Sequence, residues 1–214
     1  MRKGYAMNIK HIIFDVDGTL IDTEKAVLMA WQATLKEYGY DFLIDDIAAV
    51  LGVTTDISLE RLNVKVDDRF LSKWSDNYSV FAADTDYFEK MEDLLKELKN
   101  CGFSLGIVTS RNRDEFKKFF SRFNFEKYFE TTVLEEDTLK HKPDPEPLLK
   151  YMELTGAKKE ECIYIGDMAC DILSAESAGI SSALVRWNNS RVDYDKALIK
   201  FYNVFDVLEF VKNI

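Results

Sequence analysis

Short apolar runs and amphipathic stretches alternate along most of this chain. His11-Ile12-Ile13-Phe14 is dense in β-branched and aromatic residues and stops abruptly at Asp15, the pattern of a buried parallel strand. Asp17-Gly18-Thr19 then reads as a turn. Beyond it the spacing becomes helical. Residues 23–38 carry Ala26, Leu28, Met29, Trp31, Ala33 and Leu35 and stop before Gly39, a residue suited to a helix C-terminus. Residues 45–51, 55–62 and 67–83 continue that spacing, so 23–83 predicts an all-helical block.

From about residue 88 the pattern switches. Residues 89–101 place Met91, Leu94, Leu95 and Leu98 on one helical face, with Gly102 as the stop. Residues 103–108, 132–134, 162–165 and 182–185 read as strands. Residues 113–123, 145–154, 171–178 and 207–211 read as helices. Such alternation predicts an α/β fold, a parallel sheet with helices on both faces. The first strand is cut off from the rest by the helical block. The expected organisation is therefore a core of residues 1–21 and 87–214 with a helical insert of residues 22–86.

Composition narrows the function. At 47% hydrophobic residues the chain can bury a core, which excludes general disorder. A net charge of −10 lacks the basic footprint of a nucleic-acid binder. An anionic substrate would need a local positive site or a metal. Cys101, Cys162 and Cys170 show no CxxC spacing and read as small buried hydrophobes in a reducing compartment, not as a disulfide or zinc framework. No run approaches the ~18 apolar residues of a membrane span. The basic start lacks the apolar core of a signal peptide, so a cytoplasmic protein is expected, with residues 1–6 an extension of no structural role.

Ligands of open parallel sheets lie beyond the carboxyl ends of the strands. There the chain offers Asp15 and Asp17, then Thr109 and Ser110, then Gly166, Asp167 and Asp171. Lys142 stands before Pro143, Pro145 and Pro147, the only prolines, which stiffen its segment. Carboxylates converging on one point need a cation between them, and hard oxygen donors without His or Cys favour Mg²⁺. Thr109 and Ser110 ahead of a helix, together with Lys142, suit a phosphate. This set performs phosphoryl transfer: Asp15 is read as nucleophile and Asp17 as acid and base.

Phe14-Asp15-Val16-Asp17-Gly18-Thr19-Leu20-Ile21-Asp22-Thr23 resembles motif I of the haloacid dehalogenase-like (HAD) phosphatases. Ile107-Val108-Thr109-Ser110 resembles motif II, Lys142-Pro143-Asp144-Pro145 motif III, and Ile165-Gly166-Asp167 with Asp171 motif IV. The resemblance implies a Rossmann-like core, Mg²⁺ dependence and an aspartyl-phosphate intermediate. It implies metal binding by Asp15, Asp17 (through its carbonyl) and Asp167, with Asp171 an orienter or occasional ligand. It implies phosphate binding by Thr109, Ser110 and Lys142 beside the Gly18-Thr19 loop. The helical insert is similar to a C1-type cap that closes over the cleft and selects the leaving group.

Residues 106–147 look most like the phosphoglycolate phosphatase and bacterial pyrophosphatase branch. The substrate expected is therefore a small phosphorylated metabolite, and the chain a monomer or homodimer that binds neither nucleic acid nor membrane. β-Phosphoglucomutase is a near relative whose cap carries Gly-Val-Ser-Arg; here Gly52-Val53-Thr54-Thr55 puts Thr55 where that arginine would be. The usual Pro-Gly before the helix leading to motif II is replaced by Tyr87-Phe88-Glu89-Lys90. A phosphomutase or phosphotransferase is the alternative, and a phosphoacceptor signalling module a more distant one. Arg111 and Arg113 read first as helix-surface charges and second as groups that reach the substrate, His11 as structural and His141 as a surface group. Glu135-Glu136-Asp137 reads as a solvated run, and Trp31 and Trp74 as cap core.

Overall fold

The computed structural model describes residues 8–50, 55–188, 194 and 197–213, and of Ile57 only the backbone. Two compact units result: Met1–Ile21 with Tyr87–Ile214, and Asp22–Asp86.

The first unit is built on a sheet of six parallel strands. In chain order these are β1 (His11–Phe14), β2 (Ser104–Val108), β3 (Thr131–Val133), β4 (Cys162–Gly166), β5 (Ser181–Val185) and β6 (Lys200–Phe201). Their spatial order is β3-β2-β1-β4-β5-β6, the Rossmann-type arrangement. β1 is central because its residues are apolar on both faces, with Ile12, Ile13 and Phe14 wholly buried. Successive strands run outward to β3, then the chain returns across β1 to β4. That reversal puts the carboxyl ends of β1 and β4 side by side at the switch point where such sheets bind ligands. β4 is likewise buried along its whole length.

Period-two alternation divides the side chains between faces. Ile13, Val108, Val133 and Tyr164 pack with Leu148 and Tyr151 of a helix Glu146–Thr155 and Ala175 of a helix Ala169–Ala178. Phe14, one residue on from Ile13, meets Phe129 edge-on, ring centroids 6.2 Å apart. The helix Met91–Asn100 buries Met91, Leu94, Leu95 and Leu98 in one stripe, and a helix Arg113–Phe120 buries Phe119 and Phe120.

The second unit is helical: Glu24–Glu37, Ile44–Ala48, Thr55–Arg61 and Phe70–Phe81. Trp31, Leu35, Ile47, Leu59, Val64 and Phe70 form its core, with Trp74 packed against it. No helix among the described residues is long and apolar enough to cross a membrane.

Several details differ from the sequence expectation. The helix after β4 begins at Ala169, two residues early, which puts Asp171 in its first turn. The strand β6, at two residues, is too short to show a period. Cys101 is exposed while Cys162 is buried, so burial explains only part of the cysteine usage; all three thiols are free. Glu135–Asp137 is a 3₁₀ turn in which Glu136 accepts the Arg113 amide at 3.0 Å and Asp137 the Leu134 amide at 2.8 Å. Backbone capping, not solvation, occupies these carboxylates. The stretch Gly52-Val53-Thr54 and residues 1–6 lie outside the described residues.

Candidate active site

Asp15 follows β1 by one residue, and its amide still joins the sheet through the Ile165 carbonyl at 2.9 Å. Its side chain leaves on the face of Ile13, two residues before, towards the two helices that cover that face. Asp167 follows β4 directly. Asp171 lies in the first turn of the next helix, its Oδ2 accepting the Met168 amide at 2.9 Å. The three carboxylates are buried and each offers an oxygen within 4.8 Å of the others.

Lys142 is the cation among them. Its side chain is only 5% exposed. The ammonium donates to Asp15 Oδ1 at 3.0 Å, Asp171 Oδ1 at 2.7 Å and the Tyr164 hydroxyl at 3.0 Å, which uses its three protons. The Tyr164 hydroxyl has one proton, shared between the Val108 carbonyl at 2.8 Å and Asp171 Oδ1 at 3.2 Å. Burial alone would lower the ammonium's pKa, but Asp15 and Asp171 hold it charged, well above the ordinary lysine value.

The carboxylates shift the other way. Burial, reinforced by Asp171 and Asp17 and opposed by Lys142, pushes Asp15 up to about 7. Burial with Asp171 and Asp15 as neighbours raises Asp167 well above the carboxylate range. Fully ionised, the three carboxylates would exceed the one ammonium by two negative charges, and the upward shifts of Asp15 and Asp167 are the metal-free response to that excess. Asp167 Oδ1 is buried and has no hydrogen-bond partner among the described residues. Its Oδ2 accepts from Asn188 at 3.0 Å. An orphaned buried oxygen and a carboxylate cluster that needs further positive charge to ionise fit a divalent cation held by hard oxygen ligands.

The turn after β1 frames this cluster. Gly18 has φ +71°, and a Cβ there would stand 2.3 Å from Asp167 Oδ2, so glycine is required by conformation and by space. The Gly18 carbonyl accepts from Asn188 at 2.9 Å, so one amide ties the turn to Asp167. Thr19 is wholly buried, its hydroxyl unpaired among the described residues, and its carbonyl accepts from the Trp187 indole at 3.1 Å.

Thr109 is buried at the end of β2 and Ser110 is exposed. Neither caps the following helix. Asn112 does, accepting the Glu115 amide at 2.8 Å, and the helix begins at Arg113, where the spacing placed it. The Thr109 hydroxyl accepts the Arg111 amide at 3.3 Å, leaving its own proton available.

Arg111 is a correction. It is buried, precedes the helix and binds Asp17 through Nε at 2.9 Å and Nη2 at 2.7 Å; it is no surface charge. A loop residue has no helical face, so spacing carried no information about its direction. Arg113 is exposed and pairs with Asp137 at 2.9 Å. Tyr164 and Asn188 also escaped the sequence reading. The signal for Tyr164 was a hydroxyl inside an otherwise apolar strand, which needs a buried partner.

Residues 12–185 match the model of the haloacid dehalogenase-like hydrolases, and the chain belongs to that family. It is 34% identical over 184 residues to a protein of Caldanaerobacter subterraneus subsp. tengcongensis named "Putative pyrophosphatase PpaX", covering 85% of this chain and 84% of that one. A solved structure called "putative phosphoglycolate phosphatase" from Lactobacillus plantarum superposes with a TM-score of 0.88 at 26% identity, over 95% of this chain and 99% of the other. A "putative beta-phosphoglucomutase" from Thermotoga maritima superposes at 0.76 and 25% identity, over 96% and 100% of the two chains.

Proposed function

We propose that this chain is a Mg²⁺-dependent phosphatase that hydrolyses a small phosphorylated metabolite through an aspartyl-phosphate. The observation that carries the reading is the state of Asp15. Its Oδ1 is held by Lys142, while its Oδ2 accepts no hydrogen bond among the described residues.

In this reading the free oxygen of Asp15 attacks phosphorus and the bond to the leaving oxygen breaks. Asp17, protonated, gives its proton to that oxygen. Water then attacks the phosphorus of the aspartyl-phosphate and gives a proton to the Asp17 carboxylate, releasing phosphate and regenerating Asp15. Lys142 orients Asp15 and faces the charge that builds on the phosphoryl oxygens, and Thr109 offers its hydroxyl proton to one of them. Asp15, Asp167 and the Asp17 carbonyl would hold Mg²⁺, which when bound neutralises charge on the phosphoryl group. Asp171, whose oxygens already serve Lys142 and the helix amide, acts chiefly as the orienter of Lys142. Three free thiols suit the reducing cytoplasm in which such metabolites occur.

The name carried by the 34%-identical relative makes pyrophosphate the first substrate to test, followed by phosphoglycolate and sugar phosphates. The expected result is steady hydrolysis of p-nitrophenyl phosphate that stops with EDTA and returns with Mg²⁺, and one strong hit in a metabolite panel. A folded, Mg²⁺-loaded protein inert on the whole panel would sink the reading. The phosphomutase alternative keeps Asp15 and Asp17 and draws support from the likeness to the Thermotoga maritima structure. A requirement for a sugar bisphosphate, with isomerised product, would favour it; Thr55 at the position of the cap arginine weighs against it.

Asn188 gives a separate test of the metal site. Because its amide fixes both Asp167 and the Gly18 turn, Asn188→Ala is expected to weaken Mg²⁺ binding about tenfold, within the range found for residues behind metal ligands. Titration of Mg²⁺ by calorimetry reads this directly, without reference to turnover. Unchanged affinity would leave Asn188 as packing only.

A further inference from the structure

We propose that Arg111 is the positioning residue for Asp17: a fixed guanidinium fork on which one carboxylate oxygen stays while the other exchanges with the leaving group. The proposal rests on Asp17 being the acid and base of a phosphatase.

The two ends of this pair are held very differently. The Arg111 guanidinium carbon lies 6.0 Å from the ring centroid of Phe119 and 5.8 Å from that of Phe120. Nη1 stands 3.7 Å from Glu115 Oε2. The Arg111 amide reaches the Thr109 hydroxyl at 3.3 Å, and its carbonyl accepts the Glu135 amide at 3.0 Å. Main chain, ring faces and a second carboxylate thus fix the guanidinium. Asp17 belongs to the turn after β1, and its side chain is 25% exposed against 9% for Arg111. The guanidinium is the more enclosed end of the pair and the carboxylate the end nearer solvent.

A structural tie does not explain the pair well. A buried ion pair is a poor source of stability, because desolvating both charges cancels much of their attraction, and an apolar side chain packs as well against Phe119 and Phe120. What the guanidinium adds is direction. Two parallel N–H bonds in a planar fork select one orientation of the carboxylate, which a lysine cannot do. In the acid step the protonated oxygen is the one that has left the fork. Once it delivers its proton to the leaving oxygen, both oxygens carry charge again and the second N–H bond re-forms. In the hydrolytic step that oxygen leaves the fork once more and takes the proton of water. The fork therefore returns Asp17 to the same place in each half-reaction.

The test compares Arg111→Lys and Arg111→Gln with wild type and Asp17→Asn in single-turnover phosphorylation. One substrate is p-nitrophenyl phosphate, whose leaving group needs little protonation; the other is an alkyl phosphate, whose leaving group needs a proton. A positioned acid contributes roughly 10²–10⁴ to rate, so both Arg111 variants are expected to lose about ten- to hundredfold on the alkyl ester and less than about threefold on the aryl ester. KM should change little. Arg111→Gln added to Asp17→Asn should cost nothing further, since the group it positions is gone.

Equal losses on both esters, an undiminished loss in the Asp17→Asn background, or a loss confined to KM would overturn the proposal, the last by making Arg111 a substrate-binding residue. If neither variant folds, the pair is a structural tie and the proposal falls. A wild-type protein that transfers no phosphoryl group sinks the phosphatase reading, and this one with it. A wild type that turns over and depends on Asp17, but not on Arg111, sinks this one alone.

Discussion

Asp15→Asn is expected to abolish turnover and, in the metal-free protein, to raise thermal stability at neutral and alkaline pH. The first effect follows from the proposed chemistry. An amide oxygen is a poor nucleophile towards phosphorus, and loss of a covalent nucleophile costs roughly a thousandfold or more. The second follows from burial. Asp15 titrates at about 7 in the fold against an ordinary 3.8, chiefly because the charged form is desolvated, with Asp171 and Asp17 adding repulsion and Lys142 recovering part. A carboxyl raised in the folded state favours the protonated fold. The metal-free wild type therefore loses stability as pH rises from about 4 through about 7. Some three units at ~1.4 kcal/mol each put this loss on the order of 4 kcal/mol. Asparagine carries no charge at any of these pH values, so the decline attributed to Asp15 is absent from the variant. Melting curves in chelator at pH 5 and pH 8 should show the variant gaining on wild type at the higher pH. Mg²⁺ should stabilise the wild type more than the variant at pH 8, since the variant has already lost one of the charges the ion balances. A variant that instead loses stability at pH 8 would mean that the Lys142 attraction outweighs desolvation at Asp15.

Why some of this was legible in sequence and some was not comes down to range. Ile12-Ile13-Phe14 and Cys162-Ile163-Tyr164-Ile165 are short apolar runs whose length and β-branching suit strands covered on both faces, and that is where they lie. Leu94, Leu95 and Leu98 recur at helical spacing and form one buried stripe. These are local signals. That Asp15, Lys142, Asp167 and Asp171 meet is a long-range fact, reachable because parallel strands place their carboxyl ends at one edge. Lys142 and Asp15 are 127 residues apart in the chain yet 3.0 Å apart in space. Arg111, Tyr164 and Asn188 could not be reached that way. Each acts through a partner chosen by side-chain direction. Tyr164 points into the cluster only because it shares a sheet face with Ile13, and Arg111 turns inward only because Phe119 and Phe120 receive it. The same limit applies to Asp171. Its spacing from Asp167 marked it as near the site, but only its bonds to Lys142, Tyr164 and the Met168 amide show how its oxygens are spent.

Lys142→Met is expected to be the most damaging single change to the fold, by roughly 3–5 kcal/mol, the usual cost of removing one partner from a buried ion pair. Methionine approximates the volume of the lysine stem, so the loss would not come from a cavity. It would come from Asp15, Asp167 and Asp171, left facing one another with no cation between them. Arginine is not expected to rescue the variant. The three acceptors, Asp15 Oδ1, Asp171 Oδ1 and the Tyr164 hydroxyl, surround a point donor, and a planar guanidinium cannot direct its N–H groups to all three. Denaturant midpoints in chelator should fall sharply for Lys142→Met, and Mg²⁺ should restore part of the loss by taking over the role of counter-charge. Adding Asp171→Asn to Lys142→Met should recover stability, because the second change removes one of the charges the first left unpaired. That non-additivity distinguishes an electrostatic role from simple packing, for which the two losses would add. If Lys142→Met were as stable as wild type in chelator at pH 8, protonation of the carboxylates would replace the ammonium at no cost to the fold. The balance of charge from which the metal site is argued would then be wrong.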